Sequence, residues 1–277
     1  MTTEETELRA RDGEKLFCRR FGPAGDARST IVLVHGLGEH SGRYGHVVQR
    51  FVERGLEVVT YDHRGHGLSG GRRGDSPSFE AFLEDLSQVV AFSESTPFLY
   101  GHSFGGLVTV RFLQQRRAAV RGAIVASPLL RLVFEPPRWK LLLAAVARTL
   151  WPTLTQNSGV DPAVLSRDMA FIAEGKKQDL SHRRISARLF YEFNRHAELA
   201  MAEGEKITQP LLLLHGQMDR LTSWEATKAL FPSAASEDKT LKLYPETFHE
   251  AHNDLNREEI LRDVLHWIEA RLCVAGN

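Results

Sequence analysis

A chain of 277 residues in which 35 lysines and arginines balance 35 aspartates and glutamates has no net field to draw nucleic acid, and its 42% apolar content suffices for one core plus an insertion. Cys18 and Cys273 stand far apart, in no metal-like spacing, which points to reduced thiols and a cytoplasmic setting. Residues 1–7 are polar, and no stretch reaches the length of a membrane span, so neither a signal peptide nor a transmembrane segment is expected.

From the N-terminus, residues 7–10 and 15–21 alternate about Asp12-Gly13 and predict an opening β-hairpin. Residues 29–34 form a short run of β-branched and apolar residues, the pattern of a strand buried on both faces. They end in the glycine-rich loop His35-Gly36-Leu37-Gly38-Glu39-His40-Ser41-Gly42-Arg43-Tyr44. A helix over 44–54, stopped by Gly55, leads to a strand over 56–61 and then to Asp62-His63-Arg64-Gly65-His66-Gly67-Leu68-Ser69-Gly70. Ser78 is placed to cap a helix over 79–92. A strand beginning at Phe98, a helix over 107–115 and a strand over 122–126 follow. From 129 to 209 the pattern is helical throughout, with helices expected over 136–150, 162–174 and 186–206. A strand over 210–214, a helix over 223–230, a strand over 240–244 and an amphipathic helix over 256–272 complete the chain. This alternation implies an α/β fold with a mostly parallel central sheet flanked by helices. Residues 1–128 and 210–277 are expected to build that core. Residues 129–209 are expected to form an inserted helical cap over the carboxyl ends of the strands, where ligands bind in such sheets.

Between strand and helix lies Gly101-His102-Ser103-Phe104-Gly105, which fits G-x-S-x-G in the setting of the α/β-hydrolase nucleophile elbow. The plainer alternative is a glycine-rich turn whose serine only caps a helix. Serine needs a base to take its proton and an acid to orient that base, and in this fold they follow in the order Ser, Asp or Glu, His. Asp219 is the sole acid between the strand ending at 214 and Glu225. After the last strand His249 and His252 compete, and His249 is preferred because it lies nearer the strand end. The amide after the nucleophile, at Phe104, and the amide of Leu37 are the expected oxyanion donors. The other histidines, among them His35, His40, His63, His66 and His102, match no metal motif and are expected to hydrogen-bond loop backbone, so no metal and no cofactor is expected.

Taken together, the loops at 35–44 and 62–69, Gly101 to Gly106, His215-Gly216-Gln217-Met218-Asp219-Arg220, and the segment from Lys239 to His249 resemble the monoglyceride lipase and lysophospholipase group of α/β-hydrolases. The resemblance implies Ser103, Asp219 and His249 as a catalytic triad, with Leu37 and Phe104 as oxyanion donors. It also places Glu39, Arg43 and His252 near the glycerol end of a substrate. Phe104 departs from the family, which usually has methionine there. The helix carrying Trp139, Leu141, Leu142, Leu143, Val146, Leu150 and Trp151 is apolar over most of its circumference. Either it packs on both sides, or the face of Leu142, Leu143, Val146 and Leu150 lines an acyl tunnel and brings the cap into transient contact with a membrane surface. The expected activity is cofactor-free hydrolysis of single-chain lipid esters, with monoacylglycerol first, lysophospholipid as the alternative, and a broad esterase or thioesterase third. A hydrolase-fold binding protein without turnover is the reading from a different class.

Overall fold

The computed structural model describes residues 1–116, 119–134, 138–175 and 180–272, apart from a few side chains near the start of the fourth helix. Strands β1 (Thr2–Arg9) and β2 (Lys15–Gly22) form the opening hairpin, longer at its open end than its alternation predicts. Then come β3 (Ser29–Val34), α1 (Gly45–Glu53), β4 (Leu56–Tyr61), α2 (Phe79–Phe92), β5 (Phe98–His102), α3 (Phe104–Gln115) and β6 (Gly122–Ala126). Ser78 caps α2 as expected, its Oγ accepting from the amide of Ala81 at 3.2 Å. The stretch between β6 and the next strand of the sheet carries α4 (Arg138–Leu150), β7 (Thr155–Asn157), α5 (Met169–Gly175), β8 (Arg184–Ser186) and α6 (Ala187–Ala202). Last come β9 (Leu211–Gly216), α7 (Trp224–Ser233), β10 (Lys239–Tyr244) and α8 (Arg257–Leu272).

One eight-stranded sheet runs β1-β2-β4-β3-β5-β6-β9-β10, with every pair from β4 to β10 parallel and β1 and β2 antiparallel at one edge. Successive side chains leave a strand on opposite faces. Ile31 and Leu33 of β3 thus pack with Val47 and Phe51 of α1 and with Val264 and Ile268 of α8. Val32 and Val34 pack on the other face with residues of α2, α3, α6 and α7. The chain moves from β3 outward to β4 and returns to β5 on the other side of β3, so the carboxyl ends of β3 and β5 flank a crevice where the strand order reverses.

The stretch between β6 and β9 corrects two expectations. It is not wholly helical, because β7 and β8 pair antiparallel, Gln156 opposite Ile185. The helix expected over 162–174 is broken into a single 3-10 turn, Pro162–Val164, and α5. Ser166 between them is drawn into the core, where its Oγ donates to the carbonyl of Asn253 at 2.8 Å, while Arg167 pairs with Asp254 at 3.0 Å. Asp168 then opens α5 by accepting from the amide of Phe171 at 3.0 Å. Backbone bonds hold the stretch over the strand ends: His182 donates to the carbonyl of Gly38, Ser186 to Gly74, and Glu250 to Leu165.

Candidate active site

Ser103 sits between β5 and α3 with φ 54° and ψ −116°, a left-handed conformation that a side-chain-bearing residue adopts at a cost. A methyl group at Gly105 would collide with the carbonyls of Val34 and His35, and one at Gly101 with Thr109 and the carbonyl of Gly105. Both ends of the pentapeptide must therefore be glycine. The strained residue is pinned by its own backbone: its amide donates to Ala126 at 3.0 Å, and its carbonyl accepts from Leu107 and Leu129 at 3.0 and 2.9 Å. Helix α3 begins directly after it, earlier than the sequence pattern suggests, so the Phe104 amide is the first of the helix and has no carbonyl one turn back.

The structure brings Ser103, His249 and Asp219 into one hydrogen-bonded line. His249 Nε2 lies 2.9 Å from Ser103 Oγ, and Nδ1 donates to Asp219 Oδ2 at 2.7 Å. Asp219 follows β9, and His249 lies in the loop after the adjacent β10. The carboxylate is buried and fully engaged. Its Oδ1 accepts from the amides of Leu221 and Thr222, and its Oδ2 also accepts from Thr222 Oγ1 at 2.8 Å and His215 Nε2 at 3.0 Å. Burial pushes the Asp219 carboxyl upward, but the neighbouring His249 and His215 outweigh it and hold it well below the usual range. For His249 burial acts downward and the Asp219 charge upward, and the net shift is above 6.5. His215 and Thr222 carry no catalytic motif of their own. His215 shares the segment of Asp219, and its burial at the end of strand β9 is visible only in three dimensions.

The site opens into a cavity of about 430 Å³. Leu129, Leu132, Leu165, Ile172, Phe190 and Phe193 form its apolar wall, while Leu37, Glu39, Arg43 and Glu250 stand beside Ser103 and His249. Glu39 holds the Leu37 turn, accepting from the Gly36 amide at 2.6 Å and from Tyr44 Oη at 2.7 Å. Arg43 bridges two carboxylates, with Nη1 donating to Glu39 at 3.1 Å and Nη2 to Glu250 at 2.9 Å. Glu250 was not expected at the site.

His252 and the fourth helix require correction. His252 is fully buried and outside the cavity lining, stacked on Tyr44 at 4.7 Å and edge-on to His102 at 4.7 Å. It backs the site and does not face a ligand. Leu142, Val146 and Leu150 are 68%, 54% and 60% exposed and are absent from the cavity wall, so they do not line a tunnel. The helix lies against α6 with half-buried Ala144, Ala145 and Ala147, and Arg148 covers the Tyr191 ring at 3.9 Å. Small residues permit that close approach, which turns the leucine stripe to solvent. The side chain of Leu143, and Cys273, lie outside the described residues.

Of the histidines expected to bond loop backbone, His35, His63 and His66 do so, whereas His102 Nδ1 is buried without a hydrogen-bond partner among the described residues. His35 Nδ1 donates to Gly36 and Nε2 accepts from the His63 amide, His63 Nε2 donates to the His35 carbonyl, and His66 Nδ1 donates to Arg64. Among the described residues no group of three or more His, Cys, Asp or Glu could hold a metal ion. Burial lowers the pKa of His35, His63, His66, His102 and His252. Unfolded, each takes up a proton near pH 6.5, whereas folded it does so only at lower pH, so the unfolded chain binds more protons below 6.5. His249, with its raised value, opposes this but is outnumbered, since burial also lowers the pKa of His46, His182 and His196. Stability should therefore fall as pH drops below 6.5, by up to about 1.4 kcal/mol per pH unit for each of the five. Urea unfolding between pH 7.5 and 5 measures it, and a flat profile would contradict the neutral, buried histidines.

The profile of the family described as serine aminopeptidase, S33 (Hydrolase_4) matches residues 25–256. The chain belongs to that family. This S33-family hydrolase is 34% identical to the human monoglyceride lipase over 96% of the chain and 90% of that protein. It is 36% identical to an abhydrolase domain-containing protein of Dictyostelium discoideum over its whole length, but spans only 30% of that relative. The crystal structure of the monoacylglycerol lipase of Paleococcus ferrophilus superposes with a TM-score of 0.87 at 34% identity, covering 92% of this chain and 99% of that one. The α/β-hydrolase fold is shared throughout.

Proposed function

We propose that this hydrolase cleaves monoacylglycerols to glycerol and fatty acid, with residues 129–209 as the cap over the site. The observation that carries the reading is the Ser103–His249 contact of 2.9 Å at the floor of a cavity with an apolar wall and a polar end. Ser103 Oγ attacks the ester carbonyl as its proton passes to His249 Nε2. The amides of Leu37 and Phe104 receive the oxyanion, and His249 returns the proton to the departing glycerol oxygen. Water, deprotonated by the same histidine, then releases the fatty acid from Ser103. Glu39, Arg43 and Glu250 face the glycerol, and His252 supports them from behind. Similarity to monoglyceride lipases over nearly the whole chain supports this substrate class. Comparing monoacylglycerols, lysophospholipids and short aryl esters tests it, and failure of a fluorophosphonate to label Ser103 would favour a binding protein.

The cavity wall gives a length dependence. Each methylene buried there should gain about 0.8 kcal/mol, roughly fourfold per carbon until the cavity is full. Below micellar concentrations kcat/KM should climb with acyl length and then level, and Ile172→Asn should flatten the climb. No helix among the described residues is long and apolar enough to cross a membrane. The exposed stripe of Leu142, Val146 and Leu150, continued by Trp151 and Leu154, supports contact of the cap with a lipid surface instead. Leu142→Ser with Val146→Ser should leave the length dependence intact and slow hydrolysis only of substrate held in vesicles. Flattening by this pair and not by Ile172→Asn would exchange the two surfaces.

A further inference from the structure

Beside Ser103 and His249 the cavity wall carries a buried cation, Arg43, between two anions, while Arg183 and Arg184 line the cavity from exposed positions. Arg43 is nine-tenths buried, with side-chain exposure of 10%, and Glu39 and Glu250 are buried deeper at 6% and 3%. Each of its Nη atoms is engaged by a different carboxylate. The Phe171 ring covers the guanidinium at 5.4 Å. Glu250 is further fixed by Asn253, whose Nδ2 donates to Oε2 at 2.7 Å. Behind the trio, His102 and His252 add no positive charge, because burial lowers the pKa of both. At His249 the Asp219 charge outweighs burial and raises the value, so any charge on that ring already faces the Asp219 carboxylate. Tyr44 donates its hydroxyl proton to Glu39. The formal charge of the trio is therefore one negative, beside the reacting centre.

We propose that Glu250 is a specificity-determining residue that makes this end of the cavity accept an uncharged polyol leaving group and reject one bearing a phosphate. The inference rests on the proposed function in placing the leaving group at this end. Carboxylates are acceptors alone, so they are matched by the hydroxyl donors of a polyol. A phosphate diester or dianion brings acceptors and negative charge into a partly dry site that already carries both. Arg43 does not rescue it, because drawing the guanidinium toward phosphate would strip Glu39 and Glu250 of their shared partner and leave two buried charges uncompensated. Without the Glu250 charge the trio becomes neutral, and the barrier against phosphate is removed. Glu250 adjoins the catalytic histidine in sequence, yet it is Arg43, 207 residues away, that turns its side chain into the cavity.

The test compares 1-lauroylglycerol with 1-lauroyl-lysophosphatidic acid, both below micellar concentrations, on wild type, Glu250→Gln and Glu250→Asp. Wild type should favour the neutral ester in kcat/KM by at least about 100-fold. Glu250→Gln should lower that ratio at least tenfold, and Glu250→Asp, which keeps the charge, should preserve it. An unchanged ratio in a folded Glu250→Gln protein overturns the proposal. Should Glu250→Gln fail to fold, wild type alone decides. With an aryl ester as substrate, 1-O-dodecylglycerol should inhibit at least tenfold more strongly than its 3-phosphate, and equal inhibition overturns the proposal. Because inhibition is read on an aryl ester, it stands apart from monoacylglycerol turnover. Loss of that turnover with the inhibitor preference intact would refute the substrate reading and keep the charge selection.

Discussion

Ser103→Ala abolishes ester hydrolysis in a protein that still folds, with a loss in kcat on the order of a millionfold, as when a triad nucleophile is removed. Among the described residues the Oγ hydrogen-bonds to His249 alone, so its removal costs the fold little. The strained backbone at φ 54° is imposed by bonds from the Ser103 amide and carbonyl, and alanine keeps both. Stability should stay level or rise, because a polar group leaves a buried, strained position. Adding His249→Ala should cost almost nothing more, since base and nucleophile act as a unit. Aryl ester hydrolysis and fluorophosphonate labelling measure the effect together with thermal unfolding. Turnover near the wild-type rate would remove Ser103 from the mechanism.

Asp219→Asn should lower kcat by about 10,000-fold, the scale on which loss of the orienting carboxylate acts in such triads. Five donors converge on this carboxylate: two backbone amides, Thr222 Oγ1, His215 Nε2 and His249 Nδ1. An asparagine must aim its amide nitrogen at one of them, which sets donor against donor. Where it faces His249, the ring takes the tautomer that leaves Nε2 carrying a proton and unable to accept one from Ser103. The pH profile supplies a second readout. Only the neutral imidazole accepts, so wild-type activity should rise with pH through a value above 6.5, because Asp219 stabilises the protonated ring. In Asp219→Asn that charge is gone and burial remains, so the residual activity should rise through a value below 6.5. A silent substitution would mean that another acid orients His249.

Ser103 and Asp219 were legible in the residues because each stands at the end of an apolar strand, in a turn too short to carry it elsewhere. The parallel sheet was legible for a related reason: strands buried on both faces read as continuous apolar runs, as residues 31–34 and 211–214 do. The choice between His249 and His252 rests in the sequence on distance from the strand end alone, since both lie in one loop. Packing separates them, by stacking His252 on Tyr44 and leaving His249 between Asp219 and Ser103.

Where an apolar face turns is not written in its own periodicity. Leu142, Val146 and Leu150 mark a stripe in any helix, but the alanines beside them, by allowing close contact with α6, send that stripe outward. Glu250 gave no sign in the chain because its partner Arg43 lies on the far side of the sequence. Strands β7 and β8, three residues each, are too short for alternation to register and exist only as a pair. What the sequence by itself determined was the chemistry carried at strand ends, since strand and turn are local. What only the tertiary structure decided was the partner of each charge and the face of each helix, because both depend on residues that meet across the fold.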